Sequence, residues 1–355
     1  MDRIVVVGGY GQVGQMICRE LGERYPGRVV AAGRSLEKAE RFSRSTNGKV
    51  MPMRLDVGDA VVPEAMRDVK VIIMCLDQAD VSFVRSCIRL GIDYLDISAD
   101  YSFLSRLEEL QPEAEASGAV AVRSVGLSPG LTNVLARHAA SMLDRTDKIN
   151  LSIMLGLGDQ HGQAAIEWTV RNLNRSYKVL QHGREVLVSS FTDGAVTDFG
   201  DGLGRRKAYR FNFADQHALA RTLSVPEVAT RLCFDGRITT GLVRLLRAIG
   251  ALHVLRFDPV QRLAVKLFGA NLPLGRELFA VKVDAWGIRD GAPASVECLV
   301  RGEREAEVTA RVTAAAAGLL LDFKRKPGVY HLEQVCSLEE LLPSIEPLIT
   351  LKTST

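Results

Sequence analysis

The stretch Ile4-Val5-Val6-Val7-Gly8-Gly9-Tyr10-Gly11-Gln12-Val13-Gly14 decides how the first part of the chain folds. Four consecutive aliphatic residues predict a central strand that is covered on both faces. In the glycine pattern that follows, Gly9 permits a tight turn, Gly11 lets a pyrophosphate approach the backbone, and Gly14 lets a helix pack on the strand. A helix with one apolar face comes directly afterwards. This order predicts a dinucleotide-binding Rossmann domain whose helix N-terminus binds the phosphates.

The end of the second predicted strand indicates which dinucleotide is bound. Enzymes that use NAD usually have an acidic residue about 20 positions after the glycines, which holds the ribose 2′-hydroxyl. This chain has Gly33-Arg34-Ser35 there, and a guanidinium pairs with a 2′-phosphate that a carboxylate would repel. We therefore expect NADP. Asp56, after the third strand, is a candidate neighbour of the adenine, or alternatively a turn aspartate. The residues predicted to bind the cofactor in this part of the chain are Gly9, Gly11, Gln12, Val13, Gly14, Arg34, Ser35, Asp56 and Cys75.

Short apolar runs alternate with helical patterns over the first 125 residues, as in a parallel α/β sheet. Beyond about residue 145 the strands are longer and alternate in polarity, which predicts an antiparallel sheet with one open face. We expect an α/β fold: a Rossmann domain over 1–140, an α+β substrate and dimerisation domain over 141–315, and a C-terminal segment at 316–355. The predicted strands are 3–8, 28–32, 50–55, 69–75, 94–97, 119–123, 148–155, 178–190 with a turn at 181–184, 278–287 and 294–301, and the predicted helices are 162–174, 239–253, 303–322 and 338–345.

Composition excludes several classes of protein. The 355 residues are 47% hydrophobic and 25% charged, which is typical of globular domains, and the net charge of +3 is spread along the chain. Basic residues form only short groups, at 205–207 and 324–326, so we expect no nucleic-acid partner. Six scattered cysteines without a CxxC pair predict neither a zinc site nor a disulfide framework. Without a signal peptide or a membrane span, the chain is predicted to be cytoplasmic.

The segments 91–100 (GIDYLDISAD), 126–133 (GLSPGLTN) and 328–333 (GVYHLE), together with the glycine loop, resemble the saccharopine dehydrogenase superfamily. Relatives there include carboxynorspermidine dehydrogenase and trans-acting enoyl reductases. The resemblance implies NADPH-dependent reduction of an imine formed from an amine and a carbonyl compound. It also implies that the C-terminal segment 316–355 packs back on the Rossmann domain through 328–333. Ser128 stands where members of lysine biosynthesis have an aspartate, and Cys75-Leu76-Asp77-Gln78 departs from the Asn-x-x-Pro loop frequent in the family.

Ligands of an open parallel sheet bind beyond the carboxyl ends of its strands, and several polar residues are predicted there. Asp96 and Asp100 are candidates for holding a protonated amine, although Asp96 could instead bond a helix end or the loop backbone. Ser128 precedes a Pro-Gly turn that would bring backbone N–H groups near the nicotinamide. His161 lies among glycines ahead of a helix and is the preferred proton donor, with an interfacial histidine as the alternative. No His, Asp or Glu cluster has metal-ligand spacing, so we expect no metal.

The segment 242–255 is more apolar than one buried face requires. A homodimer interface, a lid over an apolar substrate and a contact with lipid are the three interpretations, in that order of preference.

The function that these patterns favour is that of an NADP-dependent oxidoreductase of the saccharopine reductase type. It would act on a C–N bond of a small amino-acid or polyamine-like substrate. The alternatives are an enoyl reductase that reduces a C=C bond in an apolar substrate, and a non-catalytic NADP-binding regulator.

Overall fold

The computed structural model describes residues 2–59, 66–159, 162–200, 202–269 and 275–355. The chain divides into two compact units. Unit 1 comprises residues 1–131 and 306–345, and unit 2 comprises 132–305 and 346–355.

Unit 1 is built on a parallel sheet with the strand order β15-β6-β5-β4-β1-β2-β3. The strand β1 lies between β2 and β4, so the chain reverses its direction of travel across the sheet there, and ligands bind at the carboxyl ends of strands at such a point. The aliphatic residues Ile4 to Val7 are completely buried, as the sequence predicts. The strands are β1 (Arg3–Val7), β2 (Val29–Gly33), β3 (Val50–Arg54), β4 (Val69–Met74), β5 (Asp93–Asp96), β6 (Val120–Arg123) and β15 (Gly328–His331).

The helices of unit 1 connect these strands. The last β-strand of the unit, β15, runs parallel to β6 in register from Gly328↔Val120 to His331↔Arg123, so the C-terminal part of the chain completes the sheet. The helices are α1 (Gln12–Arg24), α2 (Leu36–Arg44), α3 (Ser82–Arg89), α4 (Tyr101–Leu107), α5 (Gln111–Ser117), α11 (Glu305–Asp322), α12 (Leu332–Val335) and α13 (Leu338–Ile345). The first residue of α11, Glu305, is assigned to unit 2, and the rest of this helix belongs to unit 1.

Unit 2 contains a second, mixed sheet whose main path is β10-β11-β12-β7-β13-β14-β16, with the hairpin β8–β9 attached through β12. We expected an antiparallel sheet, but β12 runs parallel to β7 over eight residue pairs. The strands are β7 (Arg145–Leu155), β8 (Ser176–Gln181), β9 (Arg184–Ser189), β10 (Ala195–Asp198), β11 (Arg205–Arg210), β12 (Glu227–Phe234), β13 (Phe279–Arg289), β14 (Ala292–Gly302) and β16 (Ile349–Ser354).

The helices of unit 2 are α6 (Thr132–Ala140), α7 (Gln163–Asn172), α8 (Ala214–Thr222), α9 (Arg237–Ala248) and α10 (Asp258–Gly269). The single helix predicted over 239–253 is interrupted. Gly250 adopts a left-handed conformation with φ +76°, and its N–H bonds Arg247, which ends α9 in the manner common for a glycine after a helix. A short 3₁₀ helix over Ala251–Arg256 then leads to α10.

The boundaries of the units differ from the expected domains at three places. Unit 2 continues only to Glu305 and not to 315, so α11 belongs to unit 1 from its second residue onward. The helix α6 belongs to unit 2, where it packs on β13, β14 and β7. Residues 346–355 also belong to unit 2, because β16 pairs with β14 from Gly302↔Ile349 to Glu297↔Ser354. The expected return to the Rossmann sheet therefore ends at Ile345.

Candidate functional site

The glycine loop between β1 and α1 is so tightly packed that backbone atoms exclude a side chain at two of its positions. A Cβ at Gly9 would lie 2.7 Å from the Ala31 Cα and 2.7 Å from the Val6 carbonyl oxygen. At Gly14 a Cβ would overlap the carbonyl group of Gly8. The turn itself is made by Gly8, whose φ is +80°, and not by Gly9 as the sequence pattern suggests. Gly9 and Gly14 therefore allow the helix and strand to approach each other, and Gly8 reverses the chain.

The N-terminus of α1 is suited to binding an anion. Gly11 is the N-cap and has no side chain to bond the first turn, and that turn contains no acidic residue. The N–H groups at a helix start carry a partial positive charge that attracts phosphate. At Gly11 a Cβ would come within 3.1 Å of the Gly8 carbonyl oxygen, so the loop surface stays free of side-chain bulk at this glycine. The loop therefore fits a pyrophosphate group.

The end of β2 lies beside this loop. The ring of Tyr10 lies against Gly33, where a Cβ would come within 2.5 Å of the Tyr10 hydroxyl oxygen. That hydroxyl accepts a hydrogen bond of 3.0 Å from the backbone N–H of Ser35. Ser35 in turn caps α2 by accepting a bond from the Lys38 N–H. Sequence analysis missed the contribution of Tyr10; the only signal was the glycine at position 33.

Arg34 is exposed directly after β2, where the sequence predicts a contact with the 2′-phosphate. Glu37, the nearest acidic residue along the chain, pairs instead with Arg41 on the surface of α2 at 3.1 Å. Asp56 lies after β3 and its Oδ1 accepts the Gly58 N–H at 3.1 Å, so this carboxylate stabilises a turn.

Asp96, at the end of β5, is completely buried and bonded by the protein on both oxygens. Its Oδ2 accepts from the Tyr94 hydroxyl at 2.6 Å and from the Gln78 amide at 3.3 Å. Its Oδ1 accepts the Ser98 N–H at 2.7 Å. Burial raises the pKa of the Asp96 carboxyl, although the hydrogen bonds from Ser98 and Tyr94 lower it. The geometry matches the alternative in which Asp96 holds the loop backbone in place.

Asp100 and Cys75 also lie at the carboxyl edge of the sheet. Asp100 is the exposed N-cap of α4, and its Oδ1 accepts both the N–H and the hydroxyl of Ser102. Cys75 follows β4 and donates its backbone N–H to Val7 at 3.0 Å. Burial raises the pKa of the Cys75 thiol, so this side chain stays protonated at neutral pH.

The turn around Ser128 is held by the C-terminal return of the chain. Ser128 is half-buried ahead of Pro129. The Leu127 N–H bonds the Thr309 hydroxyl of α11 at 3.2 Å. Ser124 lies 2.8 Å from Nδ1 of the buried His331, which stands at the end of β15. His331 of the GVYHLE segment therefore contacts Ser124, shortly before this turn. The sequence alone does not reveal this contact.

His161, the predicted proton donor, lies outside the described residues. No group of three or more His, Cys, Asp or Glu side chains within the described ranges is placed to hold a metal ion.

Unit 2 has a polar pocket of about 500 Å³ on its sheet, which sequence analysis did not predict. Four of its six charged lining residues form ion pairs within the protein. The Lys282 ammonium lies 2.8 Å from Glu297 and 3.2 Å from Asp284, and Arg231 pairs with Asp193 outside the lining at 2.8 Å. The ion pairs at Lys282 and Arg231 therefore balance much of the charge at this surface.

Comparisons with known proteins give matches for the N-terminal part of the chain and for its fold. Residues 4–122 match the family model of the saccharopine dehydrogenase NADP binding domain. Apo saccharopine dehydrogenase (L-Glu forming) from Saccharomyces cerevisiae has a TM-score of 0.65 to this chain at 14% identity, with 100% of both chains covered. A meso-DAPDH variant from Clostridium tetani, solved with DAP, has a TM-score of 0.50 at 16% identity and covers 97% of each chain.

At these identities the structural similarity shows a shared fold. The family match includes the glycine loop, the end of β2 and the Asp96 segment, and it confirms the resemblance and the cofactor predicted from the sequence. Residues 4–122, about a third of the chain, are therefore similar to the NADP binding domain of saccharopine dehydrogenases.

Proposed function

We propose that this NADP-dependent oxidoreductase reduces an imine, or oxidises a secondary amine, in an amino-acid or polyamine-like substrate. The observation that carries the proposal is the uncapped N-terminus of α1 beside the exposed Arg34, within a domain of the saccharopine dehydrogenase type. The solved structures with the same fold include, by their descriptions, a saccharopine dehydrogenase and a meso-DAPDH, and their substrates motivate the choice of a C–N bond.

Different residues around the glycine loop would bind different parts of the cofactor. The backbone from Gly9 to Gly14, through Gln12 and Val13, would hold the pyrophosphate, and Arg34 with Ser35 would bind the 2′-phosphate. Tyr10 orients the N–H of Ser35 and fills the space over Gly33. When bound, NADPH supplies the hydride for the reduction.

Asp96 acts in this proposal as a positioning residue. Its carboxylate fixes the loop that begins at Ser98, because both of its oxygens are bonded by the protein. Ser128, at the same carboxyl edge, would contact the nicotinamide end, and Asp100 would hold α4. His161 stays the predicted proton donor for the amine nitrogen, a role that needs direct or one-water hydrogen-bond reach.

Reduction of a C=C bond in an apolar substrate is the second candidate. It is favoured by the leucine-rich surface of α9 and α10, where several large apolar side chains are exposed. A substrate with a long alkyl chain would have an affinity for such a surface.

The decisive experiment follows the oxidation of NADPH by the full-length protein. Oxidation that requires both an amine and a 2-oxo acid supports imine reduction. Oxidation by an α,β-unsaturated thioester alone contradicts the proposal and supports the second candidate. Binding of NADPH without oxidation by either substrate contradicts both and favours the regulator. The Gly14→Ala variant, which cannot form the loop, is the control for contaminating activities.

A homodimer and a cytoplasmic location also remain proposals. The location is supported by the absence of disulfide bonds among the cysteines of the described residues. The homodimer is checked by equilibrium sedimentation, in which a monomer at micromolar concentration contradicts it.

A further inference from the structure

The helix α9 turns an apolar face toward the solvent. Ile238, Leu242, Leu245 and Ile249 follow one another at intervals of four, three and four residues, which places them on one side of the helix. Each of these side chains is between 51% and 86% exposed. A surface helix normally turns polar residues to the solvent and apolar residues to the core. The exposed face of α9 is therefore the reverse of the usual arrangement.

The apolar surface continues beyond α9. Leu263 and Leu267, one turn apart on α10, are both more than half exposed, and Val254 and Phe257 are exposed in the connection. Both helices pack against the 3₁₀ turn that joins them. We call residues 237–269 the helical hairpin. Single exposed leucines are common on proteins, but a set of this size marks an interaction surface.

The charge of the helical hairpin is strongly positive. It contains six basic residues and one acidic residue, Asp258. The whole chain carries only +3, so the excess positive charge is concentrated in this segment and the rest of the chain is slightly acidic. Among the basic residues, Arg256, Arg262 and Lys266 are exposed beside the apolar side chains. The partner of this surface must therefore be apolar and negatively charged.

A second copy of the chain fits this requirement poorly. In a symmetric dimer the same patch meets itself, so the arginines and lysines of one hairpin would face those of the other with few carboxylates between them. A membrane with anionic phospholipids provides both features, because its acyl boundary accepts leucine side chains and its phosphates attract arginine and lysine. No helix among the described residues is long and apolar enough to cross a membrane.

We propose that the helical hairpin docks in the plane of an anionic phospholipid membrane. The leucine face enters the boundary between head groups and acyl chains, and the basic side chains contact lipid phosphates, with their aliphatic stems along the apolar surface. This inference does not depend on the proposed imine reduction, since it concerns residues of unit 2 outside the predicted cofactor and catalytic residues.

The first test is co-sedimentation of the full-length protein with vesicles. We expect at least about tenfold stronger partitioning onto vesicles that contain phosphatidylglycerol than onto pure phosphatidylcholine. The bound fraction should fall when salt is raised from about 0.1 M to about 1 M, since the Debye length falls from about 10 Å to about 3 Å. Equal partitioning onto the two kinds of vesicle, or none onto either, overturns the proposal.

Variants separate the hairpin from the rest of the surface. Leu242→Glu/Leu245→Glu should lower partitioning by at least about tenfold, because two charges would enter the apolar boundary. The matched control is Leu187→Glu on β9, whose leucine is 70% exposed and lies outside the hairpin. It should partition like the unchanged protein. Circular dichroism and retained NADPH binding verify that each variant is folded.

A charge variant tests the second half of the proposal. Arg256→Glu/Arg262→Glu should remove the preference for anionic vesicles, whereas Arg184→Glu on β9 should preserve it. If the double leucine variant partitions normally but converts a dimer into a monomer in sedimentation, the surface is an interface between copies and the membrane proposal fails.

Discussion

At the scale of single residues, Arg34 is the residue that we expect to decide between the two nicotinamide dinucleotides. Its exposed guanidinium stands at the end of β2, where the ribose of a bound dinucleotide lies in this fold. We expect NADPH to bind at least tenfold more tightly than NADH, about 1.4 kcal/mol. Arg34→Ala should remove most of this difference and leave NADH binding unchanged, which isothermal titration of both cofactors measures.

The control for Arg34 is Arg44→Ala, which removes the same side chain from the last turn of α2. It should leave both affinities unchanged. Equal affinities for NADPH and NADH in the unmodified protein would contradict the role of Arg34.

The titration of Asp96 should make the free energy of unfolding depend on pH. Burial raises its pKa in the folded protein, so the folded chain holds this proton more tightly than the unfolded chain does. The protonated Asp96 therefore stabilises the folded protein fully below the unfolded pKa of about 3.9. This stabilisation is lost as the pH rises through the pKa of Asp96 in the folded protein. It amounts to about 1.4 kcal/mol for each unit by which the pKa is raised.

Asp96→Asn lacks this titration. The difference in unfolding free energy between the protein and the variant should therefore be largest at low pH and shrink as the pH rises. Urea unfolding at a series of pH values measures it. A difference that grows with pH would mean that the hydrogen bonds from Tyr94 and Ser98 outweigh the burial.

At the scale of elements, the packing of α1 on β1 depends on Gly14. A methyl group there would overlap the Gly8 carbonyl group, and because the nearest atoms are all backbone atoms of Gly8 and Gly9, no flexible side chain can move aside. We expect Gly14→Ala to destabilise the protein by about 2–3 kcal/mol and to abolish NADPH binding. Gly241→Ala in α9 is the control, because nothing lies within 4 Å of its Cβ position and alanine favours a helix by up to about 1 kcal/mol. Unchanged NADPH binding by Gly14→Ala would contradict the proposed loop.

The secondary-structure elements also differ in how well the sequence predicts them. The strand, glycine loop and α1 are predictable because their signals are contiguous along the chain. The strand β12 is missed because Thr230 and Arg231 interrupt its apolar pattern; both are buried, with Thr230 bonded to Asp215 and Arg231 to Asp193. Its parallel partner β7 is about 80 residues away. The contact of Tyr10 with Gly33 is missed for the same reason, since a pairing across the fold has no local signature.

At the scale of the whole molecule, the chain uses its last residues to complete unit 2 while unit 1 binds the cofactor. The strand β16 adds Ile349 and Leu351, both half-buried, to the edge of β14. Deletion of residues 349–355 should therefore cost unit 2 about 2 kcal/mol.

The affinity for NADPH should be unaffected by this deletion, because the glycine loop and Arg34 belong to unit 1. Equilibrium unfolding with and without NADPH separates the two effects. At a concentration about 100 times its Kd, the cofactor should stabilise the full-length and the shortened protein equally, by about 2.7 kcal/mol. If the deletion weakens NADPH binding tenfold or more, about 1.4 kcal/mol, the C-terminal strand contributes to the cofactor-binding unit, and the division of labour between the units is different from the one inferred from their contacts.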